Sequence, residues 1–294
     1  MDIFAANAYK PHSMMTTQKT ERFSMTTTSP ASESYQQRFG GTRRLYGATE
    51  LEILRQAHVC VIGIGGVGSW AAEALARSGV GALTLIDMDD ICVTNVNRQI
   101  HAMAGTIGQS KIEVMADRVR AINPDCQINL IDDFISEDNI PEYITKDFDY
   151  VLDAIDSIKP KTALIAYCKR NKIKIITVGG AGGQIDPTQI QVADLTKTIQ
   201  DPLAAKLRNN LRRFHNFTKT QGRKFGIDCV FSTEQLKYPQ PDGSVCETKA
   251  SAEGPKRMDC ASGFGAATMV TATFGFVAVS RIIAKLTANA SAKS

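Results

Sequence analysis

The stretch HVCVIGIGGVGSWAAEALARSGVGALTLIDMDD, from His58 to Asp90, decides the fold. HVCVIGI is an unbroken apolar run and reads as a strand buried on both faces. GSWAAEALARSG reads as a helix closed by Gly79, and ALTLIDMD as a second buried strand. Gly63, Gly65, Gly66 and Gly68 fall between the first strand and the helix. Glycines there let the backbone approach phosphate oxygens, and the helix start offers free N–H groups and the positive end of its dipole. Asp87 ends the second strand, where a carboxylate accepts hydrogen bonds from ribose hydroxyls and disfavours a 2′-phosphate. Gly63, Gly65 and Gly68 also satisfy the Gly-x-Gly-x-x-Gly fingerprint, so an NAD-dependent oxidoreductase is one reading.

The sequence on either side repeats the alternation. TELEILRQ (Thr49–Gln56) reads as a short helix with Thr49 as N-cap, and SKIEVMADRVRAIN as an amphipathic helix ending before Pro124. CQINLIDDF and YVLDAID are strands, KTALIAYCKRNK a helix, and IKIITVGGAGG a strand running into a glycine turn. Strands alternating with helices imply parallel βαβ units, hence an α/β, doubly wound, Rossmann-like sheet. TQIQVADL is a further strand, a basic helical stretch follows, and residues 226–262 read as loop-rich. The expected division is a disordered tail over 1–37 and a nucleotide-binding core over 38–190. A basic, loop-rich substrate-binding segment then covers 191–262, and an apolar helix 263–288.

The run DMDDICVTNVNRQIHAMAGTIGQSKIE (Asp87–Glu113) separates the nucleotide readings. It places Asn95, Asn97, Arg98, Gln99 and Lys111 just beyond the ribose acid. A hydride carrier needs no cations clustered near its phosphates, whereas a triphosphate under cleavage does. Arg98 and Lys111 can offset charge as it develops on phosphate oxygens. Asp153 and Asp156, in LDAIDS, lie at the carboxyl end of a strand, and either could hold a magnesium ion bridging phosphates.

The motifs G-x-G-G-V-G-S, L-x-D-M-D-D (carrying Asp87 and Asp89), N-x-N-R-Q and the G-x-x-K of Gly108–Lys111 closely resemble the adenylating superfamily of the ubiquitin-activating enzymes. That resemblance implies that ATP adenylates a carboxylate and releases pyrophosphate. It implies further that Asp87 binds ribose and that Asn95, Arg98, Gln99 and Lys111 surround the phosphates. Asp156 manages the metal, and Arg44, or else Arg43, reaches across a homodimer to the partner's triphosphate. GGAGGQIDPTQIQVADL, TIQDPLAAKLR, GIDCVFSTE and GPKRMDCASGFGAATMVTATFGFVAVS are similar to the tRNA threonylcarbamoyladenosine dehydratases. By that resemblance the chain activates the threonine carboxylate of the modified adenosine beside the anticodon. The internal carbamoyl oxygen then closes a ring, with loss of water and release of AMP.

Seven cysteines occur without a C-x-x-C pair, so no zinc is expected. The odd count, and the lack of a signal-peptide pattern, suggest a reducing, cytoplasmic setting. Cys60 and Cys168 read as core, while Cys229 and Cys260 lie in loop-rich sequence. Since a cysteine desulfurase system is a known associate of the resembled family, these two are the candidate sulfur acceptors. A sulfur-carrier activator or a sulfur-relay scaffold therefore stand as alternatives. Between residues 197 and 224 eight cations face Asp201 alone. Lys206, Arg208, Arg212, Arg213, Arg223 and Lys224 are the expected tRNA contacts, with Phe214, His215 and Phe217 interleaved for stacking on bases. From Ala261 to Ser280 no residue is charged, which fits a buried helix and also, by length, a membrane span.

Overall fold

The computed structural model describes residues 30–240, 242–247 and 264–288. Three helices come first: α1 (Glu33–Arg38), α2 (Gly40–Tyr46) and α3 (Ala48–Gln56). The alternating part follows as β1 (His58–Ile62), α4 (Gly68–Arg77), β2 (Ala82–Ile86), α5 (Lys111–Ile122), β3 (Gln127–Ile131), α6 (Ile140–Tyr143), β4 (Tyr150–Asp153), α7 (Ile158–Asn171) and β5 (Ile175–Val178). Then come β6 (Ile190–Asp194), α8 (Pro202–Phe214), β7 (Asp228–Ser232), a small ribbon of β8 (Tyr238–Pro239) and β9 (Val245–Cys246), and α9 (Thr268–Thr287).

One seven-stranded sheet runs β3-β2-β1-β4-β5-β7-β6. Its pairs are parallel except β6 with β7, which are antiparallel. Every residue of β1, β2, β4 and β5 is buried, as a sheet covered on both faces requires. The chain winds outward from β1 in one direction and from β4 in the other. The carboxyl ends of these two strands are therefore the crevice where such sheets bind ligands.

Several expected boundaries move. The tail expected over 1–37 contains α1, capped by the Ser32 hydroxyl, with Tyr35 and Phe39 buried together. The Tyr35 hydroxyl donates to Gly79 O at 2.5 Å. Residues 1–29 lie outside the described part. Helix α3 starts at Ala48 with Gly47, not Thr49, as its N-cap. The division at residue 190 cuts through one sheet, because β6 and β7 extend it. The segment read as loops from 226 holds β7, which inserts between β5 and β6.

Helix α9 explains its own apolar composition. Phe274, Ala278, Val279, Ile282 and Ile283 are buried in the main core. Each large one contributes about 1.5–3 kcal/mol of hydrophobic stabilisation. Gly275 sits against α4: a Cβ there would lie 2.8 Å from Val67 O and 3.0 Å from Ala71 N. The small residues that suit a membrane helix here admit a neighbouring helix of the same core. The helix passes a length-and-hydropathy test for a span, as core helices do.

Gly275→Leu should therefore drive a side chain into the α4 backbone. It should cost about 1–3 kcal/mol and lower the melting temperature by about 5 °C. A thermal melt of the protein in plain buffer checks this, and an unchanged melt would deny the α4–α9 packing.

Candidate active site

The glycine turn folds back on itself. A Cβ on Gly68 would lie 1.8 Å from Gly63 O, so no larger residue can start α4 there. Gly65, by contrast, faces open space, with Gln99 Nε2 the nearest atom at 3.9 Å from a built Cβ. Backbone is thus bare where a phosphate would approach.

Asp87 is buried and tied to this turn. Its Oδ2 accepts from Ile64 N at 2.6 Å and its Oδ1 from Asp89 N at 2.9 Å. Burial raises its pKa above the usual carboxylate value, opposed by the nearby Lys111 ammonium and these N–H donors. Lys111 opens α5 and is itself only 6% exposed. Its Nζ lies 2.6 Å from Asp89 Oδ2 and 4.0 Å from Asp87 Oδ1. Backbone bonds between Lys111 N and Asp89 O (3.1 Å) and between Ile91 and residues 108–109 bring the G-x-x-K run back to the end of β2. Asp87 and Lys111, 24 residues apart, are therefore neighbours.

Arg98 reaches the same turn from a single 3₁₀ turn, Val93–Asn95. The stem of Arg98 passes 3.5 Å from a Cβ built on Gly66, and its guanidinium donates to Thr94 O at 2.7 Å. The Arg98 carbonyl accepts from Trp70 Nε1 (3.0 Å) and Thr271 Oγ1 (3.3 Å), so α4 and α9 brace the segment. Gln99 is buried with its Oε1 unpaired. Asn95 Oδ1 accepts from Cys92 N, and Asn97 Nδ2 donates to Ala266 O, so both amides also shape this loop.

Asp156 is exposed in the turn between β4 and α7. That turn touches the glycines, since a Cβ on Gly63 would sit 2.9 Å from Ala154 O. Asp153 does not share this position, and its expected role in nucleotide or magnesium binding is corrected. It is fully buried, 2.9 Å from Lys161 Nζ, and accepts from Thr177 Oγ1 at 2.7 Å and Ile155 N at 3.2 Å. With no exposed surface, its carboxylate is closed to a ligand in the crevice.

Cys229 is corrected too. It lies fully buried in β7, and burial pushes its thiol well above the ordinary value, so it cannot serve as an accessible thiolate. Cys60 and Cys168 are core, as expected, and Cys260 lies outside the described residues. Among the expected tRNA contacts, Arg208 turns inward to bind Thr198 O and the Thr198 hydroxyl. Arg212 packs over the Phe225 ring, which also takes Phe217 edge-on. Lys206, Arg213, Arg223 and Lys224 remain exposed, as does Phe214. Arg44 is exposed on α2.

Two site residues escape a reading of motifs. Lys161 neutralises Asp153, and its only signal is a lysine at the start of the helix after LDAID. His101 directly extends the N-x-N-R-Q run. It is fully buried and its Nε2–H donates to Ile64 O at 2.8 Å, backing the turn whose N–H Asp87 holds. Its Nδ1 is unpaired, and burial lowers its pKa to about 4.

The model of the family described as ThiF matches residues 40–294. The tRNA threonylcarbamoyladenosine dehydratase of Escherichia coli K12 is 66% identical over 259 residues, covering 88% of this chain and 97% of the relative. The crystal structure of the E. coli enzyme in complex with ATP superposes with a TM-score of 0.80 at 58% identity, covering 90% of this chain and 99% of that one. The complex with AMP gives 0.79 at 59% identity, covering 88% and 98%.

A neutral His101 in the fold means that the unfolded chain binds an extra proton between pH 6.5 and about 4. Stability should therefore fall as pH drops through that window, by about 3 kcal/mol from this residue at its acid end. His101→Gln keeps a donor for Ile64 O and removes the titration. Urea melts at pH 7 and pH 4 should show a smaller loss in the variant, and equal losses would mean that His101 ionises in the fold at no cost.

Proposed function

The chain belongs to the ThiF family, and from that premise we propose that it uses ATP to activate the threonine carboxylate of threonylcarbamoyladenosine in tRNA and then closes a ring. A carboxylate oxygen attacks the α-phosphorus of ATP, the bond to the bridging oxygen breaks, and pyrophosphate leaves. The internal carbamoyl oxygen then attacks the activated carbonyl carbon, and AMP leaves carrying the carboxylate oxygen that had attacked phosphorus. The other carboxylate oxygen stays as the ring carbonyl, and the carbamoyl group gives up a proton. The sum is loss of one water. The attacking oxygen already belongs to the substrate, so closure gains a large effective molarity and needs no protein nucleophile.

The observation that carries this reading is Lys111, buried yet held by Asp89 beside the ribose acid at the glycine turn. A cation fixed there lies where negative charge grows as pyrophosphate departs. Arg98, whose stem runs beside Gly66, supplies a second cation. Asp87, with both oxygens already aligned by backbone donors, takes the ribose hydroxyls. Gln99, buried with an unpaired oxygen, offers a further polar contact. Asp156 fits a magnesium ion, which usually takes one or two carboxylates and completes its shell with phosphate oxygens and water. An ion held by Asp156 would neutralise phosphate charge.

The acting unit is a homodimer in which Arg44 serves the partner's triphosphate. Two features support this. Helix α1 is anchored at Gly79 and at Ile122 O, the far ends of α4 and α5, about 15 Å along α4 from its own glycine turn. Helix α2 then exposes Leu45 and Tyr46 beside Arg44, apolar surface suited to a second copy.

Arg98→Ala should lower AMP formation by about 100-fold or more with an unchanged melt. Lys111→Ala should lower it as far and also destabilise, because it leaves Asp87 buried without its cation. AMP yields near the parent's in both variants would remove the phosphate assignment. The overall reaction is tested by mass spectrometry of nucleosides from threonylcarbamoyl-modified tRNA incubated with enzyme and ATP. The modified nucleoside should lose the mass of one water; pyrophosphate release without that loss would point instead to another carboxylate.

A further inference from the structure

We propose that the protein carries a second RNA-contact surface, at the opposite edge of the sheet from the adenylating site, which grips the phosphates of the anticodon stem. The inference rests on the tRNA reading above and adds where, and by what chemistry, the RNA is held.

Helices α7 and α8 both lead there. Helix α7 starts directly after the turn bearing Asp156 and runs for 14 residues, about 20 Å. Helix α8 starts at Asp201, whose carboxylate accepts from Gly180 N just beyond the end of β5, and runs for 13 residues beside α7. Both therefore travel from the crevice to the amino ends of the parallel strands. Where α7 stops, Lys169, Arg170, Lys172 and Lys174 are all exposed. Where α8 stops, Arg213, Lys219, Arg223 and Lys224 are exposed as well. The two sets adjoin, since a Cβ built on Gly226 would lie 2.8 Å from Lys169 Nζ.

No acidic residue occurs in 169–174 or in 206–226. Asp147 and Asp149, just before β4, are exposed at the same end of the sheet, Asp149 accepting from His58 N at 2.9 Å, and the eight cations outnumber them. The carboxylates that pack beneath 206–226 are engaged. Asp194 accepts from the N–H groups of Phe225, Gly226 and Ile227, and Asp228 pairs with Arg281 at 2.7 Å. A helix C-terminus attracts one or two cations through its dipole, but not eight spread over two elements. Lys172 adds an independent sign. It closes α7 in the left-handed conformation, φ +60°, a position that favours glycine or asparagine. A lysine there stands against its local preference, and its side chain is exposed.

The chemistry selects duplex phosphates over bases. Sites for single strands interleave cations with open aromatic rings. Here Phe217 is taken by Phe225, and Phe214 is the one large aromatic of the segment that is exposed. Lysine and arginine charges without a stacking platform suit the backbone of a helical stem. A separation of about 20 Å places the loop nucleotide at the crevice and paired stem at the basic edge.

The test uses the full chain carrying Arg170→Gln with Lys172→Asn; asparagine tolerates the left-handed turn, and neither residue touches the adenylating site. Affinity is measured against salt for an anticodon stem-loop and for an oligonucleotide of the loop alone. The variant should bind the stem-loop about tenfold more weakly at moderate salt. The slope of log affinity against log salt should shrink in magnitude by about two. Binding of ATP and of the loop oligonucleotide should not change. Unaltered stem-loop affinity and slope, or an equal loss with the loop oligonucleotide, would overturn the proposal. If the parent removes water from the modified nucleoside and the variant is indistinguishable, only this surface falls. If the parent neither binds the stem-loop nor removes water, the tRNA reading falls with it.

Discussion

The hydrogen bond from Ile64 N–H to the Asp87 carboxylate is the constraint on which the site depends. It joins the glycine turn after β1 to the end of β2, so the turn and the Asp87 carboxylate form one rigid corner. The other oxygen of Asp87 orders Asp89, and Asp89 in turn receives Lys111. From the opposite side His101 grips the carbonyl of the same Ile64. One residue of the turn is thus held at its donor by an acid and at its acceptor by a neutral imidazole. Nucleotide can meet a site whose geometry is already fixed, and little binding energy is lost in ordering it.

Beneath that corner the protein accepts a costly arrangement. Asp153 and Lys161 are both fully buried, and taking two charges out of water is repaid only when their remaining polar atoms are satisfied. They are: Thr177 and Ile155 N occupy the carboxylate, and the lysine also donates to the Asp153 carbonyl at 3.2 Å. The pair staples the start of α7 to the end of β4. The turn between them presses on Gly63 and presents Asp156, so a buried ion pair that meets no ligand sets where an exposed carboxylate stands.

What the sequence makes legible follows from how local the determining interactions are. HVCVI and ALTLI declare buried strands by composition, and the glycine, L-x-D-M-D-D and G-x-x-K motifs single out Asp87 and Lys111 together, so the sheet centre and the pairing of these two residues are readable. Asp153 and Asp156 look alike in LDAIDS; only the partner at Lys161 and the depth of β4 distinguish them. Strand β7 is five residues long, follows a basic glycine-containing loop, and pairs out of chain order between β5 and β6. Periodicity carries no signal for such pairing, and Cys229 therefore seemed to lie in a loop. Tyr35 and Phe39 are four residues apart, one helical turn, but a pair of aromatics in a polar tail is too little pattern to outweigh its composition.

Helix α9 shows how a packing element becomes part of a site. Its apolar length seats it in the core against α4, and the glycine at 275 sets how close the two helices come. That closeness brings Thr271 and Trp70 to the same carbonyl, that of Arg98, and lets Asn97 reach the backbone just before the helix. The loop carrying the arginine has only a single 3₁₀ turn of its own. Its position is borrowed from the α4–α9 contact. Of the five buried unpaired side-chain atoms among the described residues, those of Ser69, Gln99 and His101 lie on or beside the glycine turn. Buried polar groups are ordinarily paired, so their concentration there is what a surface built to receive a polar ligand should show.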